Sequence, residues 1–428
     1  MRRRAQVKGS NEVLAGLNRG AAYACYLTRD RRIGSASKDT SDLLTEWRIL
    51  GIKLGVLAHA TPDTGGAYQY TLSMLQALQH TTGYEITVYG NPKNPDFADL
   101  DFPICPFSES RARQVMALTA HRMHARLPDP FLAQDILLAP FHSLALLHTS
   151  KPFAYTLHDL QQNHYPEHFG WWTRAWRYQI HSQLLRRARR VVCESRYVRT
   201  DIMRFFDIPE ERTALIAAPP MRQFSADESD DLVQAARVRL KLPERFLLYP
   251  AQFWPHKNHI RLIEAFRDVV AEIPDLKLVL TGKKRFEYDA VMATINKFGL
   301  SDKVCLLGYV EREDLRAIYR LATALVMPSL YESVSIPIYE AFQVGTPVAA
   351  SGILAIPDQV GDAGLLFDPK SVPSMKEAIL KIVQDPETAR LLGKRGRERM
   401  LAITPAQYGA QLENLLRELR WQRCGRRC

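Results

Sequence analysis

Two Rossmann-like, doubly wound α/β domains facing a central cleft are predicted for this chain of 428 residues by three observations. The length exceeds what one hydrophobic core supports, so at least two domains are expected. Short β-rich runs alternate with helical segments, the pattern of a parallel sheet covered by helices. A polar stretch, Gln223 to Asp231, divides the alternation into two blocks.

In the first block the spacing predicts strands at Ile52–Leu57, Glu85–Tyr89, Asp135–Leu138, Phe153–Leu157 and Arg190–Cys193. The apolar spacing of Tyr68 to Leu78 predicts the first helix. In the second block strands are predicted at Phe246–Pro250, Leu276–Leu280, Val304–Leu307, Ala324–Met327 and Pro347–Ala350. The expected boundaries are a basic N-terminal extension at 1–47, a first domain at 48–222, a linker at 223–242 and a second domain at 243–402. Residues 403–428 complete the chain as a helix crossing back to brace the first domain, followed by a basic tail. The extension has no clear period and is read as a flexible arm or a mis-assigned start. Two such sheets in tandem bring their strand carboxyl ends to a shared crevice, where ligands of these sheets bind.

The net charge is +11, but residues 1–50 contribute +5 and residues 417–428 contribute +4, leaving +2 for everything between. That distribution argues against a nucleic-acid partner and leaves two readings of the ends, solvated tails or contacts to anionic lipid. The six cysteines are scattered without a CxxC pair, so no disulfide framework or zinc knuckle is expected, and a reducing, cytoplasmic setting fits. The apolar stretch Ile136 to Leu147 is interrupted by Pro140 and His142 and is too short to span a bilayer. A basic aromatic segment, Trp171 to Arg190, is read either as an interfacial helix at the inner face of a membrane or as a domain helix with snorkelling arginines.

The segment after the strand ending at Met327 is the richest in chemistry. Glu332 falls in a loop, Pro337 suits the first turn of a helix, and Gly345 ends it. Backbone N–H groups at Ser335 and Ile336 are expected to be free for phosphate oxygens at the helix N-terminus. Glu332 and Glu340 are acceptor-only carboxylates, suited to the hydroxyls of a sugar or a ribose. Upstream, Lys257 in Tyr249-Pro-Ala-Gln-Phe-Trp-Pro-His-Lys-Asn258 is a point-charge cation able to stabilise developing negative charge without a metal. His256 and His259 lack ligand-spaced partners, so no metal site is expected. In the first block, Gly65 and Gly66 follow the first strand and let backbone approach a ligand. Their spacing is not GxGxxG, which counts against a dinucleotide oxidoreductase.

The stretch from Glu332 to Val348 resembles the signature of glycosyltransferase family 4, the group 1 glycosyltransferases, in which a Glu-x-Phe-Gly loop precedes Glu-Ala-x-x-x-Gly-x-Pro-Val. The likeness runs from about Ile52 to Met400. It implies the GT-B fold and a nucleotide-sugar donor held mainly by the second domain. By resemblance Glu332 holds donor-sugar hydroxyls, Glu340 the ribose, and His158 the donor sugar, with Asp159 beside it setting the His158 tautomer. Ser195 at a strand end is a further cleft candidate, and Gly282, Tyr309 and Val310 fall where the family packs the base. Two departures stand out. Ser333-Val334-Ser335 replaces Gly-Phe-Gly, and Gln252 stands where many relatives have Arg, so another basic residue would have to replace the missing charge.

The resemblance therefore implies a metal-independent, retaining hexosyltransferase without cofactor, closest in its motifs to mannosyltransferases that build surface polysaccharide. GDP-mannose is the first expected donor and a UDP-sugar the second, with a glycan or lipid-linked oligosaccharide as acceptor. A non-catalytic nucleotide-sugar-binding protein and a nucleotide-sugar epimerase on the same fold are the alternatives.

Overall fold

The computed structural model describes residues 51–217 and 229–421. The N-terminal extension 1–47, the linker residues 223–228 and the tail beyond Trp421 lie outside the described residues.

Strands buried on both faces pair in parallel because helices cover each side. The first sheet contains β1 (Ile52–Ala58), β2 (Tyr84–Gly90), β3 (Ile104–Pro106), β4 (Ile136–Ala139), β5 (Phe153–Thr156), β6 (Arg190–Cys193) and β7 (Thr213–Leu215). Their order is β3-β2-β1-β4-β5-β6-β7. The second contains β8 (Phe246–Pro250), β9 (Lys277–Thr281), β10 (Val304–Gly308), β11 (Ala324–Met327), β12 (Val348–Ser351) and β13 (Gly364–Phe367), in the order β10-β9-β8-β11-β12-β13. All ten predicted strands are present, and the protein has the two Rossmann-like domains of the GT-B fold. The unforeseen strands β3, β7 and β13 are all sheet edges; β3 and β7 are three residues long with no buried position, and β13 is a half-exposed Gly-Leu-Leu-Phe.

Part of the predicted linker is helical. Ser229 caps the helix Asp230–Arg239 by accepting from the Leu232 N–H at 3.4 Å, and Asp230 and Asp231 fill its first turn. The polar run read as a linker is thus in part a helix start. Val233 and Ala236 pack on Ala317 of the second domain.

The helix Pro405–Trp421 packs on the first domain. Tyr408, Leu412, Leu415, Leu416 and Leu419 form one helical stripe and join the core of β1, β2 and the helix Gly66–Leu78. At roughly 1.5–3 kcal/mol per fully buried side chain, this stripe is a major tie between the chain end and the first sheet. Arg190 and Glu418 add an ion pair at 2.9 Å.

In each sheet the strand order reverses beside the first strand of the domain, at β1/β4 and at β8/β11. Ligands of open parallel sheets bind outside the carboxyl ends at such points.

Candidate active site

The carboxyl ends of β8 and β11 carry the two residues ranked first by chemistry. Lys257 Nζ donates to Glu332 Oε1 at 2.6 Å, and both side chains are mostly buried. Asn258 fixes this geometry. It adopts a left-handed conformation (φ 60°) that Asn tolerates better than most residues. Its buried amide donates to the carbonyls of Pro328 and Pro369 at 2.9 and 2.8 Å, stapling the Lys257 turn to the strand that delivers Glu332.

From the first domain, β5 ends at Thr156 and delivers His158, while β6 ends at Cys193 and delivers Glu194. His158 Nδ1 lies 2.5 Å from Glu194 Oε2, and Nε2 donates to the Pro140 carbonyl at 2.7 Å. Burial disfavours the imidazolium, but the Glu194 carboxylate, joined by the Pro140 carbonyl and Asp159, outweighs it and holds the His158 pKa above its ordinary value. Asp159 does not orient His158. It pairs with Arg177 at 2.9 Å, and Glu194 takes the orienting role. Both ring nitrogens of His158 are therefore already bonded to protein. Ser195, the predicted cleft contact, instead caps the helix Arg196–Phe206 through the Val198 N–H at 3.3 Å, so the cleft residue is its neighbour Glu194.

Glu194→Gln removes the strongest influence that raises His158 and leaves burial, the largest single cause, opposed only by the Pro140 carbonyl and Asp159. The His158 titration midpoint, followed by NMR of labelled histidine, is expected to move from above 6.5 to below it. A raised folded-state pKa adds stability fully present below the unfolded value and lost as pH rises through the folded one. The stability gap between wild type and variant is thus expected to be widest at acidic pH and to narrow above neutrality.

The helix Ile336–Val344 points its N-terminus at the same crevice, with one correction. The Ser335 N–H is not free: it donates to Gln359 Oε1 at 2.9 Å, and Gln359 Nε2 returns a bond to the Ser335 carbonyl at 2.6 Å. A side chain from a distant helix, which no local pattern announces, has satisfied it. Glu340 accepts from buried Tyr319 at 2.8 Å. Gly345, at φ 79°, closes the helix in the left-handed conformation. Across the crevice, a side-chain carbon at Gly66 would lie 3.9 Å from Ile336 Cδ1.

Gln252 has a basic neighbour. Its Oε1 accepts from Arg285 Nε at 2.9 Å and from Trp254 Nε1 at 3.2 Å, so a guanidinium stands beside the position where the family resemblance implies an Arg. Gly282 accepts nothing bulkier, since a Cβ there would meet the Ala251 carbonyl at 2.4 Å. Tyr309 is exposed beneath Lys283, whose ammonium also reaches Asp63 of the first domain at 2.9 Å. Val310 packs on the second core. Burial, reinforced by Lys257, pushes His256 and His259 down to about 3, so both are neutral. Among the described residues no group of three His, Cys, Asp or Glu is placed to hold a metal ion.

These elements enclose a cavity of about 530 Å³ between the domains. Of the predicted residues, Gly66, His158, Asp159, Lys257, Glu332 and Ile336 line it. Gly65, Ser195, Gln252, Gly282, Tyr309, Val310, Ser335 and Glu340 are outside its lining. Tyr331, missed by sequence reasoning although it adjoins Glu332, fastens the two sides. Its buried hydroxyl accepts from the Leu160 N–H at 3.2 Å, and Tyr165 donates to the Leu330 carbonyl at 2.9 Å.

Two family models cover this architecture, Glycosyltransferase Family 4 at residues 64–219 and Glycosyl transferases group 1 at residues 233–399. The chain belongs to the family 4, group 1 glycosyltransferases. Its glycosyltransferase relatives include the O-antigen chain mannosyltransferase B of Escherichia coli, 30% identical over 49% of this chain and 55% of that protein. The O-antigen chain mannosyltransferase RfbU of Salmonella typhimurium is 23% identical over 75% of this chain and 88% of its own length. The chain thus matches about half the length of the first relative and, for the serotype-specific mannosyltransferase WbdA of Escherichia coli, about a quarter. Among solved structures, sucrose-phosphate synthase from Thermosynechococcus elongatus superposes with a TM-score of 0.69 at 22% identity, covering 86% of this chain and 99% of that one. Anabaena HepE in complex with UDP and glucose gives 0.68 at 18%, covering 85% and 99%. At such identities the likeness shows this glycosyltransferase's fold alone.

The basic aromatic segment is partly absorbed into the fold. The helix Trp171–Arg187 buries Ile180, Leu184 and Leu185, while Arg187 donates to the Thr149 carbonyl. Trp171 and Trp172 remain exposed and stacked at 3.6 Å. Among the described residues no helix is long and apolar enough to cross a membrane.

Proposed function

We propose that this glycosyltransferase moves mannose from GDP-mannose to a glycan or lipid-linked acceptor of a surface polysaccharide, with retention of configuration and without a catalytic metal. The observation that carries this reading is the Lys257–Glu332 pair facing the His158–Glu194 pair across one cavity. The O-antigen mannosyltransferases among the relatives support mannose as the sugar. The UDP and glucose in the HepE complex keep a UDP-sugar as the second donor. Exposed Trp171 and Trp172 support peripheral contact with a membrane.

In this reading the diphosphate competes with Glu332 for the Lys257 ammonium, and the released carboxylate accepts hydroxyls of the sugar. The acceptor oxygen bonds to the anomeric carbon on the face from which the diphosphate leaves. The bond from that carbon to the phosphate oxygen breaks, and the acceptor proton passes to the departing diphosphate. Lys257 stabilises the growing charge. His158, its two ring nitrogens held by Glu194 and Pro140, lines the cavity beside the sugar as a fixed wall.

The test is turnover of GDP-mannose and UDP-sugars with excess EDTA, followed by NMR of the anomeric proton. Transfer of an α-mannosyl unit with EDTA present is expected. An inverted product, or activity restored only by a divalent ion, would sink the mechanism.

A further inference from the structure

We infer that the acceptor is an amphiphile with an anionic phosphate head, whose hydrocarbon chain lies along the exposed face of the helix Arg111–Arg122 while its head enters the cleft past Arg111. This inference rests on the glycosyltransferase reading and deepens it at the acceptor side.

Three observations carry it. First, the outer face of this helix is apolar where solvent should make it polar. Val115, Met116 and Met123 are 46%, 53% and 74% exposed and line an open groove of about 610 Å³. An uncovered apolar stripe of this kind marks a binding surface. Second, the groove and the catalytic cavity adjoin at Arg111, which lines both. Third, the charges select an anion. The cavity's other lining cations are matched, Lys257 by Glu332 and Arg177 by Asp159. Arg111 has no carboxylate partner among the described residues; its guanidinium stacks on Trp176 at 4.1 Å. Residues 111–126 contain four arginines and no acidic residue. A neutral, water-soluble oligosaccharide would use neither the stripe nor the unmatched guanidinium. A lipid phosphate uses both, since charge-assisted bonds to phosphate are among the stronger polar contacts.

The test uses the full chain and farnesyl phosphate carrying a terminal diazirine, dispersed below its micelle concentration, with the matching alcohol and inorganic phosphate as controls. Photolabelling is expected within residues 111–125 and is expected to be lost in Met116→Glu, a change at an exposed position whose melting temperature should match wild type. Arg111→Gln is expected to weaken farnesyl phosphate roughly tenfold, the scale of one lost charged hydrogen bond, and to leave the alcohol unchanged. Labelling elsewhere, or labelling indifferent to Met116→Glu, would overturn the assignment. So would capture by phosphatidylglycerol vesicles without labelling by the dispersed probe, which would make this face a bilayer-docking surface. Stabilisation by nucleotide sugars in the same variants reads the donor site separately, so failure of the glycosyltransferase reading is distinguishable from failure of this one.

Discussion

Lys257→Ala should reduce kcat/KM by roughly 10²–10³, the cost of removing one preorganised group that stabilises transition-state charge. The same change strips Glu332, only 9% exposed, of its cation. A carboxylate left unpaired in a mostly buried site destabilises the fold, by less than the several kcal/mol of a fully buried pair because solvent reaches part of Lys257. The two effects separate in the double variant Lys257→Ala/Glu332→Gln. Its melting temperature should recover toward wild type, because no orphaned charge remains, while activity stays lost. Recovery of activity together with stability would mean that the pair is only structural.

Gly393→Val should be the most damaging change outside the cleft. The helix Pro386–Leu401 crosses the end of the helix Ile336–Val344 so closely that a Cβ at Gly393 would lie 2.2 Å from the Gly345 carbonyl oxygen. Neither side can yield easily. Gly345 is locked as the left-handed cap, and Gly396 one turn later meets Phe342 in the same way. Overpacking of a close helix contact costs about 3 kcal/mol. A domain of this size should lose roughly 6–12 °C of melting temperature in calorimetry. The displaced helix carries Glu340 and starts beside Glu332, so donor affinity should fall as well. An unchanged melting temperature would show that the two helices separate freely.

The fold was legible because each core strand is a continuous apolar run and each turn of the alternation repeats it. The edge strands β3, β7 and β13 were not, since an edge needs only a few half-exposed residues. In the site, Lys257 and Glu332 could be found because loop chemistry is local to each motif, and the fold then brings them to 2.6 Å. Roles that depend on partners distant in sequence were illegible. Glu194 orients His158 from 36 residues away, and Gln359 occupies the Ser335 N–H that the motif suggested was free for phosphate. The apparent loss of charge at Gln252 likewise changes meaning once Arg285 is seen bonded to it.

The most direct measurement of the central claim is thermal stabilisation of wild type and Lys257→Ala by a panel of GDP- and UDP-sugars, each with EDTA. One nucleotide class should raise the wild-type melting temperature, and the variant should lose most of that response. If no nucleotide sugar at millimolar concentration stabilises the wild type, or if the variant responds equally, the cavity holding Lys257 and Glu332 is not the donor site.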